Sequence, residues 1–304
     1  MKSVLVTGVF GFLGTNVLKY YKEKGFYVCG IGRTSVLEHE NTFILDDYFI
    51  GSITTENLQK FEDKFDLIIH CAGSSSVGKA IEDPNGEFTN TLESTQILLE
   101  YIRVKQSDAR LIITSSSAVY GTNHATPIKE SSDLDAMSLY GVHKELSEKL
   151  CSYYAKLYNV KISIIRFFSI YGPGLEKQLL WDACNKISNS KDKSLVFFGT
   201  GTEVRDFIEI RDALTLIEKA SLVEEPFLVL NGGTGEATSV KEIINNLVKL
   251  LSCGCEISFN NTVRIGDPKY LCADITKSLT YQWKPEVKLM EGLKTYVKWY
   301  KRQN

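Results

Sequence analysis

The chain has 304 residues, of which 43% are hydrophobic and 24% charged, ordinary values for a globular protein with a substantial core. Lys and Arg number 35 against 37 for Asp and Glu, a formal charge of −2. That balance carries no electrostatic footprint of a nucleic-acid or anionic-membrane partner, so any bound anion must be held by local groups.

The first residues, "MKSVLVTGVFGFLG", run straight into an apolar, glycine-bearing segment without the basic region and cleavage site of a secretory signal. No apolar run approaches the ~18 residues that span a bilayer, and the expectation is a cytoplasmic protein. The cysteines (Cys29, Cys71, Cys151, Cys184, Cys253, Cys255, Cys272) read as free thiols of a reducing compartment. Cys253 and Cys255 have no companion pair at zinc spacing, so no metal is expected.

In chain order, "KSVLVTG" reads as a buried strand, "TNVLKYYKEKG" as a helix closed by Gly25, and "FYVCGIG" as a second strand. "FDLIIHCAG", "ARLIITSSS" and "VKISIIRFF" are further strands. Phe88, Leu92, Thr95, Leu99 and Ile102 recur at helical spacing between them. This alternation predicts β-α-β units and an α/β fold: a doubly wound parallel sheet of Rossmann type with a smaller C-terminal α/β domain. The expected boundaries are 1–167 for the dinucleotide-binding domain, with 203–230 returning to it, and 168–202 plus 231–304 for the second domain.

Ligands in such sheets sit beyond the carboxyl ends of the strands. The first turn, Thr7 to Gly14, places Gly8, Gly11 and Gly14 between strand and helix, where glycines admit a pyrophosphate close to the backbone. At the tip of the second strand stands Arg33 rather than an acid. Arginine there accommodates a 2′-phosphate, which favours NADP(H) and leaves NAD(H) possible if Arg33 stacks on adenine or is merely solvated.

Tyr140 and Lys144 lie one helical turn apart, downstream of a strand tipped by Ser116. A free phenol with a pKa of about 10 is a poor base near neutrality, and an ammonium on the same helix face is expected to lower it. Tyr140 would then exchange a proton with a substrate oxygen that Ser116 also binds. On the same helix Leu146, Leu150, Tyr153 and Leu157 repeat at the spacing of a core face.

These features together resemble the extended short-chain dehydrogenase/reductase family, in its nucleotide-sugar epimerase/dehydratase branch. "TGVFGFLG", "HCAGSSSVG", "TNTLEST", "SSSAVYG", "YGVHK", "RFFSIYGPG", "GTGTEVRDFIEIRD" and "RIGDP" carry the likeness along nearly the whole chain. The resemblance implies that Phe12 and Leu13 offer backbone to the pyrophosphate, and that Ser52, Ile53, Cys71, Ala72, Gly73, Ser75, Asn90 and Phe168 join Tyr140 and Lys144 in lining the cofactor. It implies that Ser75, Ser116, Ser117 and Ser169 contact the substrate, and that Arg205 and Arg264 grip its diphosphate. The family often has Asp where Ser52 stands and Asn where Ser169 stands. Ser117 and Ala118 replace the Asp-Glu pair of the dehydratases, which argues against water elimination.

The implied substrate is a nucleotide-diphosphate sugar, and a homodimer is expected from the resemblance alone. Arg33 favours an NADPH-dependent reductase of a 4-keto sugar nucleotide. The Ser116, Tyr140, Lys144 set serves equally a 4-epimerase with tightly held NAD. A non-catalytic cofactor-binding scaffold is a remote third reading.

Overall fold

A computed structural model describes residues 1–34, 44–74, 77–122, 126–190, 194–262 and 268–303. Two compact units emerge: residues 1–120, 133–166 and 214–230 form the first, and 121–132, 167–213 and 231–304 the second.

The first unit is built on β1 (Ser3–Thr7), α1 (Phe12–Glu23), β2 (Tyr27–Gly32), β3 (Asp47–Ile50), α2 (Thr55–Leu58) and β4 (Leu67–His70). Next come α3 (Val77–Glu82), α4 (Pro84–Phe88), a π-helical turn (Thr89–Glu93), α5 (Ser94–Lys105) and β5 (Arg110–Ser116). A 3-10 turn (Ser117–Tyr120), α6 (Leu139–Tyr158) and β6 (Lys161–Phe167) follow.

In the second unit lie β7 (Ser169–Tyr171), α7 (Gln178–Asn189), β8 (Ser194–Phe197), β9 (Val204–Arg205) and β10 (Phe207–Glu209). From there α8 (Ile210–Ser221) and β11 (Phe227–Gly232) return to the main sheet, before β12 (Thr238–Ser239), α9 (Val240–Leu251), β13 (Glu256–Phe259), β14 (Tyr270–Leu271), α10 (Thr276–Thr280) and α11 (Leu289–Gln303).

The central sheet has seven strands in the order β11-β6-β5-β4-β1-β2-β3, with β1, β2, β3, β4 and β5 in parallel register. Chain order reverses between β1 and β4, so the crevice of a doubly wound fold opens beyond the ends of those two strands. Strands covered on both faces read as continuous apolar runs, and β1 and β4 are accordingly buried along their whole length. One face packs Leu5, Ile31, Ile68, Leu111 and Ile113 against Leu98, Leu99 and Ile102 of α5 and Cys151 of α6.

The face of α6 turned to this core is polar and small: Lys144, Ser147, Glu148, Cys151 and Ala155 are buried. Leu146, Tyr153 and Leu157 are instead 42%, 51% and 62% exposed, and Leu150 is only partly buried. The apolar repeat of this helix is therefore not its core face, contrary to the expectation from spacing. Phe88 is likewise exposed, because the π turn separates it from the register of α5.

Within the second unit, Asp206 is fully buried and accepts from the backbone N–H and hydroxyl of Thr234, both at 2.7 Å, and from the N–H of Gly235 (2.9 Å) and Ala273 (3.1 Å). Four donors on one carboxylate tie three loops together. Trp181 of α7 packs on Trp299 and Tyr300 of α11, with ring centroids 5.8 and 5.5 Å apart. Among the described residues, no helix is long and apolar enough to cross a membrane, and no group of three His, Cys, Asp or Glu residues could hold a metal ion.

Candidate active site

The loops after β1 and β4 meet at the reversal of strand order. Gly8 has φ +64, and a Cβ there would stand 2.7 Å from the Ala72 nitrogen. A Cβ at Gly14 would stand 2.2 Å from the Gly8 oxygen, so α1 can press onto the turn only with glycine at that position. Gly11 is the N-cap of α1, with no side-chain cap and no acidic residue in the first turn. Phe12 and Leu13 thus open a helix whose first N–H groups lack intrahelical acceptors and whose dipole favours an anion.

Arg33 follows directly after β2 and is exposed. The Tyr48 hydroxyl fixes the same tip by donating to the Gly32 and Thr34 carbonyls at 2.9 and 2.7 Å. Ser52 is exposed after β3, whereas Ile53 packs partly against the core. Ser75 and Arg264 lie outside the described residues.

Beyond β4, the Ala72 N–H donates to the Thr7 hydroxyl at 3.2 Å. Burial pushes the Cys71 thiol up to about 12, so it remains a neutral thiol. Gly73 has φ +130, and a Cβ there would lie 3.5 Å from Thr91 Oγ1 and 3.6 Å from Lys144 Nζ. The Asn90 carbonyl oxygen lies 3.6 Å from the same point, while its side-chain amide donates to the Gly86 carbonyl at 2.6 Å. The π turn presents the Thr91 side chain here, and the Ser74 N–H donates to its hydroxyl at 3.4 Å.

The structure brings Ser116, Tyr140 and Lys144 together. Ser116 ends β5 and Tyr140 opens α6, whose N-cap Ser138 accepts from the Gly141 N–H at 3.1 Å. Gly141 lets the helix start touch the 3-10 turn, because a Cβ there would stand 2.6 Å from the Ala118 oxygen. The Ser116 hydroxyl is close enough to the Tyr140 phenol to favour its ionised form, and it also accepts from the Ala118 N–H at 3.2 Å. The buried Lys144 ammonium donates to the Thr114 carbonyl at 2.9 Å and lies 6.0 Å from the centroid of the Tyr140 ring. Ser117, one step beyond Ser116, is buried.

The expected lowering of the phenol by Lys144 is not found. Burial raises Tyr140 above the ordinary phenol value, the Ser116 hydrogen bond opposes it, and the negative charge of Glu87 adds to the rise. Burial also lowers Lys144, against the charges of Glu87 and Glu148.

Sequence reasoning missed the groups behind this pair. His70 is buried and pushed down to about 3, first by desolvation and then by Lys144, so it is neutral. Thr95 Oγ1 donates to the Thr91 carbonyl at 2.6 Å and therefore accepts from His70 Nε2 at 3.3 Å, while Thr7 Oγ1 donates to His70 Nδ1 at 2.8 Å. Glu148 receives the Arg166 guanidinium at 2.7 Å and the Ser115 hydroxyl at 2.5 Å, and Arg166 also donates to the Tyr120 hydroxyl at 2.9 Å. This buried pair pins α6 to β5 and β6, and removing one partner of such a pair costs about 3–5 kcal/mol. Periodicity gives no sign of these polar residues; only their position beside strand ends does.

In the second unit, Ser169, Lys177, Gln178, Asp182, Lys186, Phe197, Phe198, Glu203 and Arg205 line a cavity of about 520 Å³. Gln178 has φ +68, an uncommon backbone for a residue other than glycine, at the start of α7. Arg205 donates to the carbonyls of Val204 (2.8 Å) and Pro268 (2.7 Å). It forms no salt bridge with Asp206, whose carboxylate is taken by backbone donors. Phe168 is buried, with its N–H donating to the Gly232 carbonyl at 2.9 Å.

The family model described as "NAD dependent epimerase/dehydratase family" matches residues 4–224, more than two thirds of the chain. The chain belongs to this family. Among its relatives, a putative UDP-glucose 4-epimerase of Methanocaldococcus jannaschii is 28% identical, over 99% of both chains. The UDP-glucuronate 4-epimerase of Thermodesulfobacterium geofontis is 29% identical over 98% of this chain and 95% of its own. A solved structure of the Bacillus cereus UDP-glucuronic acid 4-epimerase, in complex with UDP-glucuronic acid and NAD, is 29% identical with a TM-score of 0.86, covering 99% and 100% of the two chains. For this family member, the glycine cradle at Gly8 and Gly14 and the open start of α1 fit a dinucleotide pyrophosphate.

Proposed function

We propose that this family member is a UDP-sugar 4-epimerase that uses NAD, acting on a UDP-hexose or UDP-hexuronate. The observation that carries the reading is the Ser116–Tyr140 hydroxyl pair beside Lys144 at the end of β5, in a chain alike over its full length to UDP-glucose and UDP-glucuronate 4-epimerases. Bound NAD supplies a hydride acceptor at C4 that later gives the hydride back, and a positively charged ring when oxidised.

The chain's own groups handle the proton and the orientation. The N–H groups of Phe12 and Leu13 hold the pyrophosphate, with Gly8, Gly11 and Gly14 allowing its approach. Ile53, Cys71, Ala72 and Gly73 wall the cofactor side, with Asn90 and the Thr91 hydroxyl beside Gly73. Tyr140 Oη takes the proton of the C4 hydroxyl as C4 becomes a ketone, and Ser116 Oγ donates to the same oxygen. Once hydride has returned to the other face of C4, Tyr140 gives the proton back. The cycle is redox-neutral, and proton and hydride both balance. Ala118 and Ser117 offer no acid/base pair for dehydration.

The cavity of the second unit suits the nucleotide diphosphate, with Lys177, Lys186 and Arg205 as cations and Ser169 as a hydrogen-bonding group. Arg33, exposed after β2, favoured NADP(H) and a reductase. The NAD found in the complex of the B. cereus relative supports the epimerase instead, with Arg33 over adenine or in solvent. Denaturing the purified protein and weighing the released dinucleotide tests this point. NAD or NADH is expected, whereas NADP(H), or an empty protein with strong preference for NADPH, returns the reductase.

A homodimer is also inferred. The apolar stripe of Leu146, Tyr153 and Leu157 on α6, with the exposed Val104 on the adjoining α5, supports pairing with a second copy through these helices.

A further inference from the structure

Glu87 is 3% exposed, on a short helix that leads into the π turn. Its Oε1 accepts from the Thr91 hydroxyl at 2.8 Å and lies 3.9 Å from His143 Nδ1. Its Oε2 is buried without a hydrogen-bond partner among the described residues, as is His143 Nδ1. Leaving a carboxylate so poorly satisfied costs stability, and such a group is retained where its charge has a use.

The groups facing it are those of the active site. His143 and Thr91 lie against it, His143 from α6 and Thr91 from the π turn, and its charge reaches Tyr140 and Lys144 of α6. Thr91 Oγ1 and Lys144 Nζ flank the same spot above Gly73, at 3.5 and 3.6 Å from a Cβ built there. Cys71 is held as a thiol, so Glu87 is the negative charge facing this side of the pair, while Glu148 is engaged by Arg166. Both Tyr140 and Lys144 feel the Glu87 charge in the direction of their protonated forms.

We propose that Glu87 is a positioning residue for proton exchange at Tyr140, acting through its charge from behind the Tyr140–Lys144 pair while Thr91 fixes its carboxylate. Glu87 adds to burial in favouring the phenol form of Tyr140 and opposes burial in favouring the ammonium form of Lys144. The base form of Tyr140 then depends on positive charge held in the site, which ties deprotonation to the oxidised state of the bound dinucleotide. The proposal rests on Tyr140 as the proton-exchanging group.

The test is Glu87→Gln, which removes the charge and keeps the shape. In protein as purified, labelled with 13C at the tyrosine ζ carbon, the Tyr140 signal is assigned by its loss in Tyr140→Phe. Its titration is expected to move to lower pH by about one pH unit, a tenfold rise in phenolate at a given pH. The acid limb of the kcat profile should move the same way. A folded Glu87→Gln protein whose Tyr140 titration matches the parent overturns the proposal, even if activity drops. Should that variant not fold, Glu87→Asp keeps the charge one methylene further off, and a smaller displacement in the same direction is expected; none at all overturns the idea. The titration is read without sugar nucleotide. Displaced titration without epimer from any UDP-sugar would therefore sink only the epimerase reading.

Discussion

At the residue scale, Tyr140 shows burial outweighing a neighbouring cation. Lys144 is near enough to matter, yet its ammonium is committed to the Thr114 carbonyl, and desolvation with the Glu87 charge leaves the phenol above its ordinary value. A raised phenol is an acid at rest and a base only after the site gains positive charge, so the rate should climb with pH through the phenol's ionisation in the loaded enzyme. Replacing Tyr140 with Phe removes the proton carrier without altering the glycine turn. The expected outcome is a fall in kcat of about 10²–10⁴-fold, with dinucleotide affinity within a few-fold of the parent by calorimetric titration. Retained turnover in Tyr140→Phe would place the proton exchange elsewhere. Ser116, Tyr140 and Lys144 were legible in the sequence because a strand tip and an i, i+4 pair fix where side chains point. Glu87 was not, since a carboxylate in the polar run "DPNGEFTN" reads as a surface charge. The π turn that aims the Thr91 hydroxyl and the Asn90 carbonyl at Gly73 depends on a backbone shift that no spacing rule encodes.

At the scale of elements, α6 explains why hydrophobic spacing misled. Its inner face carries Lys144 beside Tyr140, Glu148 for the pair with Arg166, and Ser147, Cys151 and Ala155 so that it can lie close to the sheet. The large apolar residues are left on the outer face, where they fit a partner helix better than water. We expect sedimentation velocity to give a dimer at micromolar protein, and the double substitution Leu146→Glu with Leu157→Glu to give a monomer with its fold intact. A monomeric parent across that concentration range would remove the second copy from the account. The first turn, by contrast, was read correctly as a tight element, because Gly8 and Gly14 answer to steric demands that sequence position alone reveals.

For the whole molecule, the order β11-β6-β5-β4-β1-β2-β3 follows from the alternation of strands and helices, and the reversal between β1 and β4 locates the dinucleotide crevice. What alternation cannot convey is the fate of the hydride. A reductase and an epimerase share one acid/base pair and differ in whether the hydride that leaves C4 comes back, a difference for which Arg33 is a single indicator, pointing to the reductase. Full-length likeness to 4-epimerases, one of them solved with NAD and UDP-glucuronic acid, weighs on the other side. The most direct measurement is to incubate the protein, with no dinucleotide added, with UDP-glucuronate and UDP-glucose carrying deuterium at C4, and to follow the sugar by NMR. One of them is expected to yield its C4 epimer with the deuterium retained at C4. Absence of any epimer, together with NADPH-dependent reduction of a 4-keto sugar nucleotide, would contradict the epimerase assignment.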